Sequence, residues 1–85
     1  MSTRDELLEV IEAGRLDWIA RGLAGTVFRL WTPNGNRYPV EYRLLTRAER
    51  KELKAMRADG MVRLEPGWQT HKGMVRLAQP HLFTE

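Results

Sequence analysis

The sequence predicts an α+β fold in one small domain: N-terminal helices, a β-hairpin, a further helix and a second hairpin. Three observations carry this. Apolar residues recur at helical spacing over residues 3–23 and again over 46–57. Side chains alternate in character between residues 37 and 45. The pentapeptide Gly-Met-Val-Arg-Leu occurs twice, at 60–64 and 73–77, on either side of a polar loop.

The first helix is expected over residues 3–13. Thr3 and Glu6 have capping-box spacing, Leu7, Val10 and Ile11 share one side with Leu8 beside them, and Gly14 is a natural stop. Leu16, Ile19, Ala20 and Leu23 continue at helical spacing, which predicts a second short helix over 16–23, or else one helix that tolerates Gly14 at a cost of ~1 kcal/mol, with Trp18 at the core or its edge. Gly22 and Gly25 end that pattern.

From Thr26 the period becomes two. Tyr38, Val40, Tyr42 and Leu44 fall on one face, and Arg37, Pro39, Glu41 and Arg43 on the other. A three-residue loop at Asn34-Gly35-Asn36 pairs Leu30 with Val40 and Phe28 with Tyr42, keeping apolar residues together. Trp31 then lies on the polar face, covering an edge, stacking on Pro39 or meeting a partner.

Thr46 to Arg57 is the most strongly signalled helix. Thr46 and Glu49 form a capping box, Asp59-Gly60 supplies the stop, and the length is only ~18–20 Å. Arg47, Arg50, Lys51, Lys54 and Arg57 fall within one arc of about 120° that contains no acid, while Leu45, Ala48, Leu53 and Met56 lie toward the other side. Glu52 is expected at the core edge, in water or paired with an arginine from the sheet. Residues 61–65 and 74–78 follow as paired strands, with Val62, Leu64, Val75 and Leu77 on the apolar face and Arg63 and Arg76 on the other. The loop between them carries Trp68, Gln69, Thr70, His71 and Lys72. In the tail, Leu82 and Phe83 need cover.

Composition narrows the function classes. A chain of 85 residues builds one modest core, burying ~60–65% of its unfolded surface, with which a buried catalytic cavity would compete. Cysteine is absent, which removes disulfides, thiolate zinc sites and cysteine nucleophiles. Ser2, the only serine, lies at the first helix cap. His71 and His81 have no acidic neighbour at a catalytic or metal spacing, and no glycine loop cradles phosphate. These points favour binding over catalysis, with no cofactor and no metal. Acids near the start interrupt any signal-peptide core, and no run reaches the ~20 apolar residues of a membrane span, so a cytoplasmic location away from membranes is expected.

Charge is unevenly placed. The chain has a net charge of +3, but residues 1–17 are net −3 and residues 18–85 net +6. Arginine outnumbers lysine eleven to three, which suits contacts to phosphate, carboxylate and base edges.

The order helix, glycine turn, strand, loop, strand over Leu45 to Ala78 resembles the recognition helix and wing of winged-helix DNA-binding domains. The matching residues are 45–57, then Ala58-Asp59-Gly60-Met61-Val62-Arg63-Leu64, then Gly73-Met74-Val75-Arg76-Leu77. The resemblance implies a small transcriptional regulator that binds double-stranded DNA. Arg47, Arg50, Lys51, Lys54 and Arg57 would enter the major groove, and Trp68, Gln69, Thr70, His71 and Lys72 would form the wing. Such domains often work as dimers, although no heptad or long apolar helix here specifies one. The same element order also builds a four-stranded antiparallel sheet with helices on one face. In that layout Arg29, Trp31, Arg43, Arg63 and Arg76 would dock on an acidic partner protein, and the chain would be an interaction module or inhibitor. The two layouts part on whether residues 26–45 and 61–78 share one sheet.

Overall fold

The first helix is capped by Ser2, whose Oγ accepts from the Asp5 backbone N–H at 3.1 Å, while Asp5 and Glu6 put carboxylates at the positive end of the helix dipole. The cap is therefore one residue earlier than the Thr3 box implied. The computed structural model describes residues 2–33 and 41–78. Helix α1 spans Thr3–Glu12 and buries Leu7, Val10 and Ile11. Gly14, at φ +72°, turns the chain out of it.

Residues 16–23 correct the sequence expectation. They form strand β1, Leu16–Ala20, followed by a short 3-10 turn at Gly22–Ala24. Leu16 and Trp18 are buried while Asp17 and Ile19 point to the other face, a period of two that the helical spacing of 16, 19, 20 and 23 masked. Leu23, assigned to that helical stripe, is fully exposed. What decides the state is pairing on both edges: β1 lies between β2, Thr26–Trp31, and a strand contributed by the far end of the chain.

The partner of β2 on its other edge is β3, Tyr42–Leu44, and its register differs from the expected one. Tyr42 pairs with Trp31, Arg43 with Leu30 and Leu44 with Arg29. The shift is an odd number of residues, so it exchanges faces: Tyr42 joins Trp31 and Arg29 rather than Phe28, and Arg43 turns toward the helices. The expected loop at Asn34-Gly35-Asn36, the positions of Tyr38 and Val40, and the tail with Leu82 and Phe83 lie outside the described residues.

Helix α2, Arg47–Ala58, has the expected capping box: Thr46 Oγ1 accepts from Glu49 N at 3.1 Å and the Glu49 carboxylate accepts from Thr46 N at 2.8 Å. Leu53 and Met56 are buried on its inner side. Glu52 pairs with Arg4 of α1, so the edge acid is neutralised by the neighbouring helix and not by the sheet. Strands β4, Val62–Pro66, and β5, Lys72–Leu77, pair as expected, Leu64 with Val75 and Arg63 with Arg76. The repeated pentapeptide is thus two antiparallel strands of one hairpin. Its two glycines serve different ends: Gly60, at φ +76°, ends α2, while Gly73 faces the Glu65 carbonyl where a side chain would not fit.

Together the strands make one five-stranded antiparallel sheet in the order β3-β2-β1-β5-β4, one strand more than the sheet layout anticipated. Residues 26–31 and 42–44 therefore share a sheet with 62–77, and three strands separate α1 from α2. This is the arrangement with helices on one face. Leu16, Leu30, Val62 and Val75 close the core against Leu7, Ile11, Leu53 and Met56. The other sheet face carries no helix among the described residues. No helix of the described residues is long and apolar enough to cross a membrane.

Candidate binding faces

One cross-strand row runs over the uncovered face through all five strands: Leu44, Arg29, Asp17, Met74 and Glu65, each opposite the next. Asp17 organises its centre. Its carboxylate accepts from Arg29 Nε at 2.9 Å, from Arg29 Nη2 at 2.6 Å and from Trp31 Nε1 at 3.1 Å. The hydrogen bonds from Arg29 to Asp17 hold the guanidinium pKa above its ordinary value. The fixed guanidinium lies 5.0 Å from the Trp31 ring centre and 5.1 Å from that of Tyr42, and the two rings meet at 4.9 Å and a tilt of 52°. Tyr42 and Leu44 remain about half exposed.

Toward β4, Arg63 and Arg76 share the Glu65 carboxylate at 3.1 Å each, and their hydrogen bonds, that of Arg76 foremost, depress its pKa. Glu12 of α1 lines the same hollow as these three side chains, so two cations meet two acids there. Beside the loop between β4 and β5, a hollow of about 290 Å³ is lined by Asp17, Arg29, Trp68, Gln69, Lys72 and Met74 among others. Trp68 stands 92% exposed at its rim. Among the strand residues alone, Arg29, Arg63, Lys72 and Arg76 give this face four cations against the carboxylates of Asp17 and Glu65, a surplus of two.

The second candidate surface is α2. Arg47, Arg50, Lys51, Lys54 and Arg57 are all exposed on it, on the opposite side of the sheet from the row just described. The structure therefore divides the residues matched to a recognition helix and wing. Trp68, Gln69 and Lys72 join Arg29 at the hollow, while the five helix cations stand apart from them; Thr70 and His71 are exposed in the same loop. Of the residues expected to dock a protein, Arg29, Trp31, Arg63 and Arg76 share the open face, and Arg43 does not. Arg43 sits opposite Leu30 on the helix side and grips Glu49 at 2.8 and 2.9 Å. Asp17, Tyr42 and Leu44 are the residues that sequence reasoning missed. Alternation of Leu16, Asp17 and Trp18 was the available signal for the first of them.

The grip of Arg43, helped by the Thr46 backbone, lowers the Glu49 pKa from 4.5 to about 2. A carboxylate depressed on folding contributes stability that is complete above its unfolded pKa of 4.5 and is lost as pH falls toward about 2. Glu49→Gln is expected to cost about 1–2 kcal/mol at neutral pH through the cap and the pair. It should also flatten that acid limb. Urea unfolding at neutral pH and at about pH 3 checks both; equal acid sensitivity of the two proteins would contradict the assignment.

The described residues define an α+β sheet protein with one helix-covered face and one basic and aromatic face that none of their helices covers. Comparison with known proteins adds no family to that class: no family model, curated protein or solved structure matches the chain. Function must be argued from the surfaces themselves.

Proposed function

We propose that the chain is a small protein-interaction module, an adaptor or inhibitor, whose open sheet face docks on an acidic surface of a partner protein. The observation that carries this reading is the Asp17–Arg29–Trp31–Tyr42 cluster. Its side chains are fixed before any partner arrives, so little ordering entropy opposes binding, and Arg, Trp and Tyr are the residue types that anchor protein interfaces. The charge surplus selects an acidic partner and opposes face-to-face pairing of two copies. Base stacking is a poorer match here, because the Arg29 guanidinium already lies against both rings and its charge is neutralised by Asp17.

Panning a random peptide library against the chain tests the reading. Ligands rich in Asp and Glu are expected, with binding lost in Arg63→Glu/Arg76→Glu and kept in Lys51→Glu/Lys54→Glu. Ligands without acidic bias, or ones indifferent to the sheet reversal, would overturn it.

A second reading is favoured by the helix: among the described residues Arg47, Lys51, Lys54 and Arg57 of α2 take part in no ion pair, and no acid interrupts their arc. An exposed cationic helix fits the major groove of duplex DNA, as in a transcriptional regulator. Neutralising about five phosphates gives a log–log salt slope of roughly −4 to −5. Titration of duplex DNA at two salt concentrations supports this reading if that slope appears, and absence of salt-sensitive binding at micromolar protein sinks it.

A further inference from the structure

A cleft lies between α2 and β2, on the helix side of the sheet and away from the docking face. It encloses about 260 Å³ and is lined by Phe28, Leu53, Arg50, Lys54 and Arg57. Its lining is two apolar side chains, three cations and no carboxylate. Positions 50, 54 and 57 recur at one helical turn and so stand on the same side of α2. Leu53 is fully buried beneath them, and Phe28, packed on the core, is half-buried.

The acids that would ordinarily neutralise such a row are committed elsewhere. Glu49 is bound by Arg43, while Glu52 and Asp59 are both held by Arg4 of α1. Among the described residues Lys54 and Arg57 have no ion pair, and Arg50 spends one guanidinium nitrogen on the Leu45 carbonyl at 2.8 Å. Three uncompensated cations around an apolar wall raise the local positive potential, because the wall excludes screening solvent. The cleft thus combines a hydrophobic floor with an anion-attracting rim.

We propose that this cleft binds a small aromatic carboxylic acid. The ring would lie on Phe28 and Leu53, and the carboxylate would meet Lys54 and Arg57. At about 260 Å³ the cleft is slightly smaller than ordinary small-ligand sites, which begin near ~300 Å³, so one ring system with a short acidic arm is the size class that fits. The inference is independent of the docking reading, since the two surfaces lie on opposite sides of the sheet.

Amide shift titration of the full chain with 1-naphthoate tests it, alongside the neutral 1-naphthalenemethanol and inorganic phosphate alone. Naphthoate is expected to perturb Phe28 and residues 50–57, with the alcohol and phosphate each binding at least ~10-fold more weakly. Lys54→Gln/Arg57→Gln, at exposed positions that leave the core intact, should weaken naphthoate by ~10-fold or more, and Arg63→Gln/Arg76→Gln should leave it unchanged. Equal binding of acid and alcohol would reduce the cleft to a greasy patch, and equal binding of phosphate would reduce it to a charge cluster. Either result overturns the proposal, as do shifts centred on Trp68 or no naphthoate binding at millimolar concentration. The wild-type arms decide the question even if a variant is poorly folded.

Discussion

Gly73→Ala is expected to cost about 3 kcal/mol, the upper part of the range for overpacked sites, because the added methyl has nowhere to go. Its carbon would lie 1.9 Å from the Glu65 carbonyl oxygen and 2.8 Å from both Gly67 N and Pro66 Cα. All three are backbone atoms of β4 and the residue after it, so relief requires β4 and β5 to separate rather than a side chain to rotate. That hairpin supplies Trp68, Gln69 and Lys72 to the hollow beside Arg29, so the loss extends to the proposed docking face. Gly67→Ala is the matched control. Its methyl would meet Lys72 O at an ordinary 3.5 Å, and the substitution should be within about 0.5 kcal/mol of neutral. Urea denaturation of both variants measures the contrast, and a Gly73→Ala protein as stable as Gly67→Ala would contradict the close pairing.

Asp17→Ala is expected to cost about 2–3 kcal/mol in stability and to loosen the proposed docking face. The Asp17 side chain is 15% exposed and that of Arg29 21%, so the pair is largely sheltered, and removing the carboxylate leaves a desolvated guanidinium and the Trp31 Nε1 without their acceptor. The figure lies below that for a fully buried pair because water still reaches Arg29. A double-mutant cycle with Arg29→Ala separates pairing from packing: the double variant should be less destabilised than the sum of the singles by roughly 1–2 kcal/mol. Strict additivity would mean that Asp17 does not organise the cluster.

These two residues mark where sequence reading succeeds and where it stops. Helix α2 was legible because its signals are local: a capping box at Thr46 and Glu49, an apolar side at Leu53 and Met56, and a stop at Gly60. The faces of β4 and β5 were legible because alternation within each strand matched its partner. Strand β1 was not, because Leu16, Ile19, Ala20 and Leu23 happen to satisfy helical spacing, while the pairing that makes 16–20 a strand joins Asp17 to Met74 across most of the chain. The β2–β3 register failed for a related reason. Asn34-Gly35-Asn36 reads as a three-residue turn, but Thr32 N donates to Glu41 O, so eight residues, Pro33 to Val40, separate the paired segments.

The consequences for the site follow directly. Arg29, Trp31, Arg63 and Arg76 could be placed on a polar face from alternation alone. That they share one face with Tyr42 and Leu44, organised by Asp17, needed the central strand and the corrected register. Arg43 left the group for the same reason: an odd shift in pairing carries a side chain through the sheet. The cations of α2 were assigned correctly to one arc, but their separation from the 66–72 loop by the thickness of the sheet is a property of topology.

The central claim, that the open sheet face docks an acidic protein, is tested most directly by quantitative affinity capture. The bait is the purified chain, incubated with nuclease-treated lysate of its source organism. Wild type, Arg63→Glu/Arg76→Glu and Lys51→Glu/Lys54→Glu are compared. The account predicts a captured protein that survives nuclease and the helix reversal and disappears with the sheet reversal. Capture that persists through the sheet reversal, or that is abolished by the helix reversal or by nuclease, would contradict it.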